Sequence, residues 1–163
     1  MDKYNRFFTP TLYQMVRVDW LCIMTVMMIA VAVNWREVNW WTFLFMFWWI
    51  DLIGTAPGMY FHNKNKCAPA GSDVPRWCIV AYNSCHSFAS VSIVTLIWYF
   101  VSGLEWAMLA MPIHLAADRC IFGNIYKSFG LKFEAEPNQA FQRFHMEFEQ
   151  AQPSVSKAAL LNG

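Results

Sequence analysis

His114 and Asp118 stand four residues apart in Ile113-His114-Leu115-Ala116-Ala117-Asp118-Arg119, inside a long apolar run. At 3.6 residues per turn they lie about 40° apart on one helix face and one turn apart in height, so both can address a single point. Asp51 closes an earlier apolar run, and His86 falls in a third, within Tyr82-Asn83-Ser84-Cys85-His86-Ser87. Two imidazoles and two carboxylates supply the nitrogen and oxygen donors that zinc, iron or manganese accept, and an ion with an open position activates water at neutral pH. The same groups could work without metal, Asp118 orienting His114 while Asp51 or Asp19 completes a proton relay. A purely structural alternative is a buried hydrogen-bonded network that locks helices together. The metal reading is preferred: His86, His114, Asp51 and Asp118 are its ligands or acid/base groups. Tyr82, Asn83, Arg119, Asp19 and His62 are substrate or outer contacts. Haem held by His86 and His114 is disfavoured, because only one such pair exists and Ala89, Ser90, Ala110 and Ala116 leave limited room around it.

The elements that must hold these groups read as membrane spans. The chain is 57% apolar with nine Trp and fourteen Phe, and only 14% charged, outside the usual range of soluble domains. Four stretches approach the ~20 residues a spanning helix needs, at about 14–33, 38–55, 77–101 and 104–122. Asn34-Trp35-Arg36-Glu37 joins the first pair and Ser102-Gly103 the last, so each pair reads as a tight helical hairpin. The expected fold is all-α: a polytopic membrane protein whose four-transmembrane-helix bundle fills residues 1–133, followed by a cytoplasmic tail over 134–163.

Basic residues set the orientation. Lys3, Arg6, Arg17, Lys64, Lys66, Arg76, Arg119, Lys127, Lys132, Arg143 and Lys157 fall on one side of this topology and Arg36 alone on the other. Both termini are therefore expected in the cytoplasm, with the protein multi-pass in a bacterial inner membrane. The spread of these cations along a membrane face gives no nucleic-acid patch; the expected partners are the bilayer and a membrane protein or a second copy. A cleaved signal peptide ending at Ala30-Val31-Ala32 is the weaker reading, since Asp19 interrupts its apolar core. Counted from the helix ends at about 1.5 Å per residue, Asp19, Asp51, Asn83, His86, His114 and Asp118 fall in one layer roughly 5–13 Å from the cytoplasmic face. Such a layer predicts a cavity open to that side, built from all four helices.

The five cysteines include no Cys-x-x-Cys pair, so neither a disulfide framework nor a zinc knuckle is indicated, and Cys85 beside His86 reads as a small apolar residue. Gly54, Pro57 and Gly58 end the second helix, leaving His62 in a loop that could fold back over the cavity. The stretch 63–75 reads as a lid or an exposed connection. Trp40, Trp41, Trp48 and Trp49 read as an interfacial aromatic belt. Beyond Glu136-Pro137, Phe141, Phe144 and Phe148 recur at helical spacing and predict an amphipathic helix over about 137–151, lying on the membrane, on a partner or on its own bundle, with His145 on the polar side.

Tyr82-Asn83-Ser84-Cys85-His86, His114-x-x-x-Asp118-Arg119 and the exit Phe122-Gly123-Asn124-Ile125-Tyr126-Lys127 resemble an uncharacterised family of small four-helix bacterial membrane proteins, over about residues 51–133. That resemblance implies fold and location but no activity. A more distant similarity is to bacterial membrane-bound metal-dependent hydrolases, which carry an aspartate at a helix end, a His-Ser pair opening a later helix and His-x-x-x-Asp on the next. Asp51, His86-Ser87 and His114 with Asp118 stand in that order. The Pro-Asp-x-Asp-His segment is reduced to Asp51 and the Arg-Gly before His-Ser is missing, so the similarity does not extend to a second metal. The expected function is a metal-dependent, hydrolase-like enzyme acting on a lipidic or apolar substrate; the alternative is a non-catalytic membrane subunit or scaffold whose polar layer is structural.

Overall fold

The computed structural model describes residues 2–151, and among these the fold is all-α, without strands. Lys157, counted above for orientation, and the tail beyond Ala151 lie outside the described residues. The helices are α1 (Pro10–Val33), α2 (Trp40–Gly54), α3 (Ala56–Lys64), α4 (Arg76–Cys85), α5 (Phe88–Ser102), α6 (Ala110–Ala117) and α7 (Gln139–Ala151). A 3₁₀ turn, Trp106–Leu109, leads into α6, and a π-helical turn, Asp118–Phe122, follows it.

Local chemistry sets these limits. The Thr9 hydroxyl caps α1 by accepting from Leu12, with Pro10 at the first helical position where its missing N–H costs nothing. Asn39 caps α2 in the same way through Thr42. The predicted end of the second helix falls at Thr55, but the chain resumes at once as α3, so His62 lies on a helix and not in a loop.

The stretch expected as one helix over 77–101 is interrupted. His86 ends α4, Ser87 caps α5 through the Ala89 N–H, and the two axes bend by 57°. The stretch 104–122 is likewise three local geometries in succession, 3₁₀, α and π. One helix, α1, is long and apolar enough to cross a membrane, and α4 with α5 meets the same test only as a bent pair.

Helix α6 is the central element. Ala110, Met111, Ile113, His114, Leu115 and Ala116 are all buried, with α1 and α2 packed on it. Ala107, Ala110 and Ile113 share one apolar cluster with Val31, Val38 and Phe43; Met111 and Leu115 share a second with Ile50 and Val91. A third cluster joins Val74, Cys78, Ile79 and Tyr82 to Phe133. The outer surface is apolar instead of polar: Trp41 is 85% exposed, Leu104 86% and Val101 80%, while His62, His86, His114 and Arg119 are buried.

Helix α1 is tied to the end of the π turn by polar groups. Arg17 donates to the carbonyls of Cys120 (2.9 and 2.7 Å) and Ile121 (3.1 Å), acceptors that the helix end leaves without intrahelical partners. Tyr13 donates to the Gly123 carbonyl at 2.7 Å. Gly123 has φ +74°, and a Cβ there would overlap the Tyr13 hydroxyl, so both backbone conformation and contact require glycine.

The amphipathic helix forms as α7, starting at Gln139 behind an Asn138 side chain that accepts from Ala140. Phe141 and Phe144 pack on Phe7 at 5.1 and 5.6 Å, and Asn5 bonds Glu136 and Asn138. It therefore docks on the chain's own N-terminal segment.

Candidate metal centre

Asp51 comes from the last turn of α2, His86 from the break between α4 and α5, and His114 and Asp118 from α6 and the π turn that follows. Gly54 permits this convergence. A Cβ there would meet Cys85 Cβ at 3.0 Å and the His86 ring at 3.1 and 3.2 Å, so only glycine lets α4 approach α2 so closely. π turns widen a helix locally and recur at functional sites. Here the widening begins at Asp118, while His114 and Asp118 keep the neighbouring positions expected from their spacing.

Each side chain is held from behind. His86 Nδ1 lies 2.9 Å from the Tyr82 carbonyl, which can only accept, so Nδ1 carries the hydrogen and Nε2 is left with its lone pair when the ring is neutral. The Tyr82 ring stacks on His86 at 3.9 Å and 11°. The Thr55 hydroxyl donates to Asp51 Oδ1 at 2.7 Å. Phe47 packs edge-on against His114 at 4.8 Å, its backbone near the imidazole but short of a hydrogen bond.

The front of the cluster brings two imidazole nitrogens and two carboxylates face to face. His86 Nε2 lies 3.5 Å from Asp51 Oδ1 and 3.2 Å from Asp118 Oδ2; His114 Nε2 lies 3.7 Å from Asp51 Oδ2 and 3.6 Å from Asp118 Oδ2. Both nitrogens of His114 and Oδ2 of Asp118 are buried without a hydrogen bond. Asp51, His86 and His114 can each offer one ligand atom with all three within 4.8 Å of one another, and Asp118 adjoins both imidazoles. A tetrahedral ion with bonds of ~2.05 Å sets its ligand atoms roughly 3.3 Å apart, close to the 3.2–3.7 Å between imidazole and carboxylate atoms here. Buried polar atoms left without a hydrogen bond, as the His114 nitrogens and Asp118 Oδ2 are, carry a cost, and a cation at their centre removes it.

Asp51, His86 and Asp118 face a cavity of about 240 Å³, with His114 behind them. Thr55, Met59 and Tyr82 line the same cavity, and its far wall is Lys3, Asn124, Lys127, Glu134 and Ala135. The cover is thus the segment after the π turn together with the N-terminal residue Lys3, and the stretch 63–75, read as a lid or an exposed connection, does not line the cavity.

The four remaining predicted residues each take a different place. Asp19 is exposed on α1 and takes no part in the cluster, so the expected layer draws on three of the four predicted spans. The reason is angular: Asp19 lies two residues, about 200°, from Arg17, whose face meets the π turn. His62 does not fold over the cavity. Its Nδ1 bonds Asp73 Oδ2 at 2.8 Å, and its Nε2 stands 3.6 Å from Glu134. Asn83 faces the backbone of Lys127, donating to its carbonyl and accepting from its N–H, both at 2.8 Å, and so anchors the covering segment. Arg119 donates to the His86 carbonyl at 3.5 Å with its guanidinium over the rings of Trp20 (4.5 Å) and Phe88 (4.6 Å); it braces the α4–α5 break and does not line the cavity.

Thr55, Lys3, Lys127 and Glu134 are site residues that the sequence reading misses. Thr55 has a legible signal, standing one turn after Asp51; the others reach the cavity only through tertiary folding. Burial draws the Lys127 ammonium below its ordinary pKa, against the opposing pull of Asp2, Glu134 and Asp118. Comparison with protein-family models, curated proteins and solved structures finds no match to this chain.

Proposed function

We propose that this is a four-span membrane protein with a single divalent-metal site, acting as a hydrolase-like enzyme on a lipidic substrate. The observation that carries the reading is the convergence of Asp51, His86, His114 and Asp118 at 3.2–3.7 Å with His86 Nδ1 already committed to a carbonyl. Asp51, His86 and His114 hold the ion, and zinc, iron and manganese all suit such donors. When bound, the ion supplies a Lewis acid and lowers the pKa of a water. Asp118, on the cavity side, takes the proton of the attacking water and returns it to the leaving group. Thr55 and the Tyr82 carbonyl keep the two ligands beside it in register.

The membrane part of the proposal rests on the inverted surface. Large apolar side chains cover the outside of α1, α2 and α5 while imidazoles and a guanidinium lie within, the distribution expected where the solvent is lipid. The four spans are α1, α2, the bent α4–α5 pair and the segment 106–122. Placement in a bacterial inner membrane with both termini cytoplasmic follows from the charge bias of the connections. The family resemblances of Tyr82–His86 and His114–Arg119 remain part of this proposal.

The test is elemental analysis of the purified full chain. About one divalent ion per chain is expected in the wild type, with loss of it in His114→Ala. No ion in the wild type, or the same content in both, contradicts the proposal and favours the non-catalytic subunit with a structural polar layer.

A further inference from the structure

The cavity beside the candidate metal centre contains two lysines that a hydrolytic site for a neutral lipid does not require. Lys3 and Lys127 both line it, and among the described residues neither is within ion-pair distance of a carboxylate. Lys127 Nζ bonds the Phe133 carbonyl and stands over the Phe133 and Tyr82 rings at 4.3 and 4.7 Å, contacts that fix its position and leave further N–H donors of its three. Asn124, in the same wall, has its side-chain oxygen buried and unbonded.

The charge balance depends on the ion. Asp51, Asp118 and Glu134 face Lys3 and Lys127 across the cavity, and Asp2 also acts on Lys127, so the empty cavity is net negative. A divalent cation on Asp51 and its partners offsets that excess. An anion is repelled from the empty cavity and not from the loaded one, where the ion and the two ammonium groups act on it.

The cavity also has an apolar neighbour. A groove of about 590 Å³ runs along the outside of α2 between Trp41, Leu44, Phe45, Trp48 and Leu52, and it ends on Asp51 and Thr55. Those two residues belong to both spaces, so the groove and the polar cavity meet at the candidate ion ligand. One molecule can occupy both only if it is apolar along its length and charged at one end.

We propose that the site takes an amphiphile with a phosphate-type anionic head, the head held between the ion and Lys127 with Lys3, and the acyl part lying in the α2 groove. The inference rests on the metal reading above and names its substrate class. Ammonium groups are point-charge partners for phosphate, and a charge-assisted hydrogen bond is worth about 1.5–3 kcal/mol, roughly tenfold or more in affinity.

The test measures binding by calorimetry to the full chain in a neutral sugar detergent, loaded with zinc and, separately, stripped with chelator. The probes are inorganic phosphate, dioctanoyl phosphatidic acid and dioctanoylglycerol. Tight binding of the phosphatidic acid is expected in the zinc-loaded protein only, at least about tenfold tighter than inorganic phosphate, with dioctanoylglycerol failing to compete. Lys127→Met should weaken it about tenfold with zinc content unchanged. Lys3→Met, at an exposed residue, makes the same test should the first variant not fold. Trp48→Ala should lower phosphatidic acid affinity and leave phosphate affinity alone. Unaltered affinity in the lysine variants, or equal binding of dioctanoylglycerol, overturns the anion site while retained zinc leaves the metal reading standing. Equal binding of inorganic phosphate and phosphatidic acid overturns the amphiphile and assigns the cavity to free phosphate. Absence of zinc binding in the wild type removes the metal reading itself.

Discussion

Two buried histidine–carboxylate clusters lie among the described residues, and they are built on opposite principles. At His62 the partners are closed on one another: Asp73 Oδ2 accepts from His62 Nδ1 and from the Phe133 N–H, both at 2.8 Å. At His86 and His114 the partners are held apart: no imidazole nitrogen comes closer than 3.2 Å to a carboxylate, and both His114 nitrogens and Asp118 Oδ2 have no hydrogen bond. The first arrangement pairs its charge internally through Asp73 Oδ2, with Oδ1 left unbonded, and fastens one segment to another, the Phe133 ring being seated on Gly58, where a Cβ would overlap the ring. The second fastens nothing; its ligands are secured from outside by Thr55 and the Tyr82 carbonyl. Hydrogen-bond closure marks a structural pair, and open convergence with rear support marks a site prepared for a cation.

The comparison breaks most sharply on ion content. Replacing His86 or His114 with Ala should reduce zinc affinity by more than the ~10–100-fold typical of an outer contact, whereas His62→Ala should leave zinc stoichiometry unchanged, both read by equilibrium dialysis. Stability should respond in reverse. His62→Ala strands the buried Asp73 carboxylate and should cost about 3 kcal/mol in a thermal or denaturant unfolding experiment, since breaking one partner of a buried pair is costly. An equal loss of stability in zinc-free His114→Ala would erase the distinction.

Smaller effects sharpen it. Thr55→Val removes the hydroxyl that positions Asp51 and should weaken zinc binding about tenfold without moving the unfolding midpoint of the zinc-free protein. At Asp73 burial opposes ionisation, but the Phe133 N–H and the His62 ring prevail and hold its carboxyl below the usual aspartate range. A folded-state pKa below the unfolded one stabilises fully above the ordinary value of ~3.9 and is lost as the pH falls through the folded value. The Phe133 amide resonance should therefore titrate with a midpoint below ~3.9, moving upward in His62→Ala; a midpoint at or above the ordinary value would contradict the closed pair.

Much of the site is legible in the chain. The four-residue spacing of His114 and Asp118 holds because it is a property of one helix, and the apolar run before it places Asp51 at a helix end, whereas His86 reads as the interior of one long helix that the structure ends at that residue. What fails depends on the face and not the depth of a residue. Asp19 has a suitable depth but points away from the face that carries Arg17, and an estimate along the helix axis contains no rotation. His62 and Asn83 read as cavity residues because their partners, Asp73 and the Lys127 backbone, are 11 and 44 residues away in sequence. The interruption at His86 carries no Pro or Gly; Ser87 produces it by capping α5, which a search for helix breakers passes over. That interruption is also what turns the His86 ring toward α2, so the missed irregularity and the site are one feature.

The central claim, that the open cluster and not the closed one takes a cation, is tested most directly by anomalous diffraction from crystals of the full chain grown with zinc. One strong anomalous peak is predicted within ~2.3 Å of the ligand atoms of Asp51, His86 and His114, and none at His62, Asp73 and Glu134. A peak at the His62 cluster, or none at the first, would contradict it.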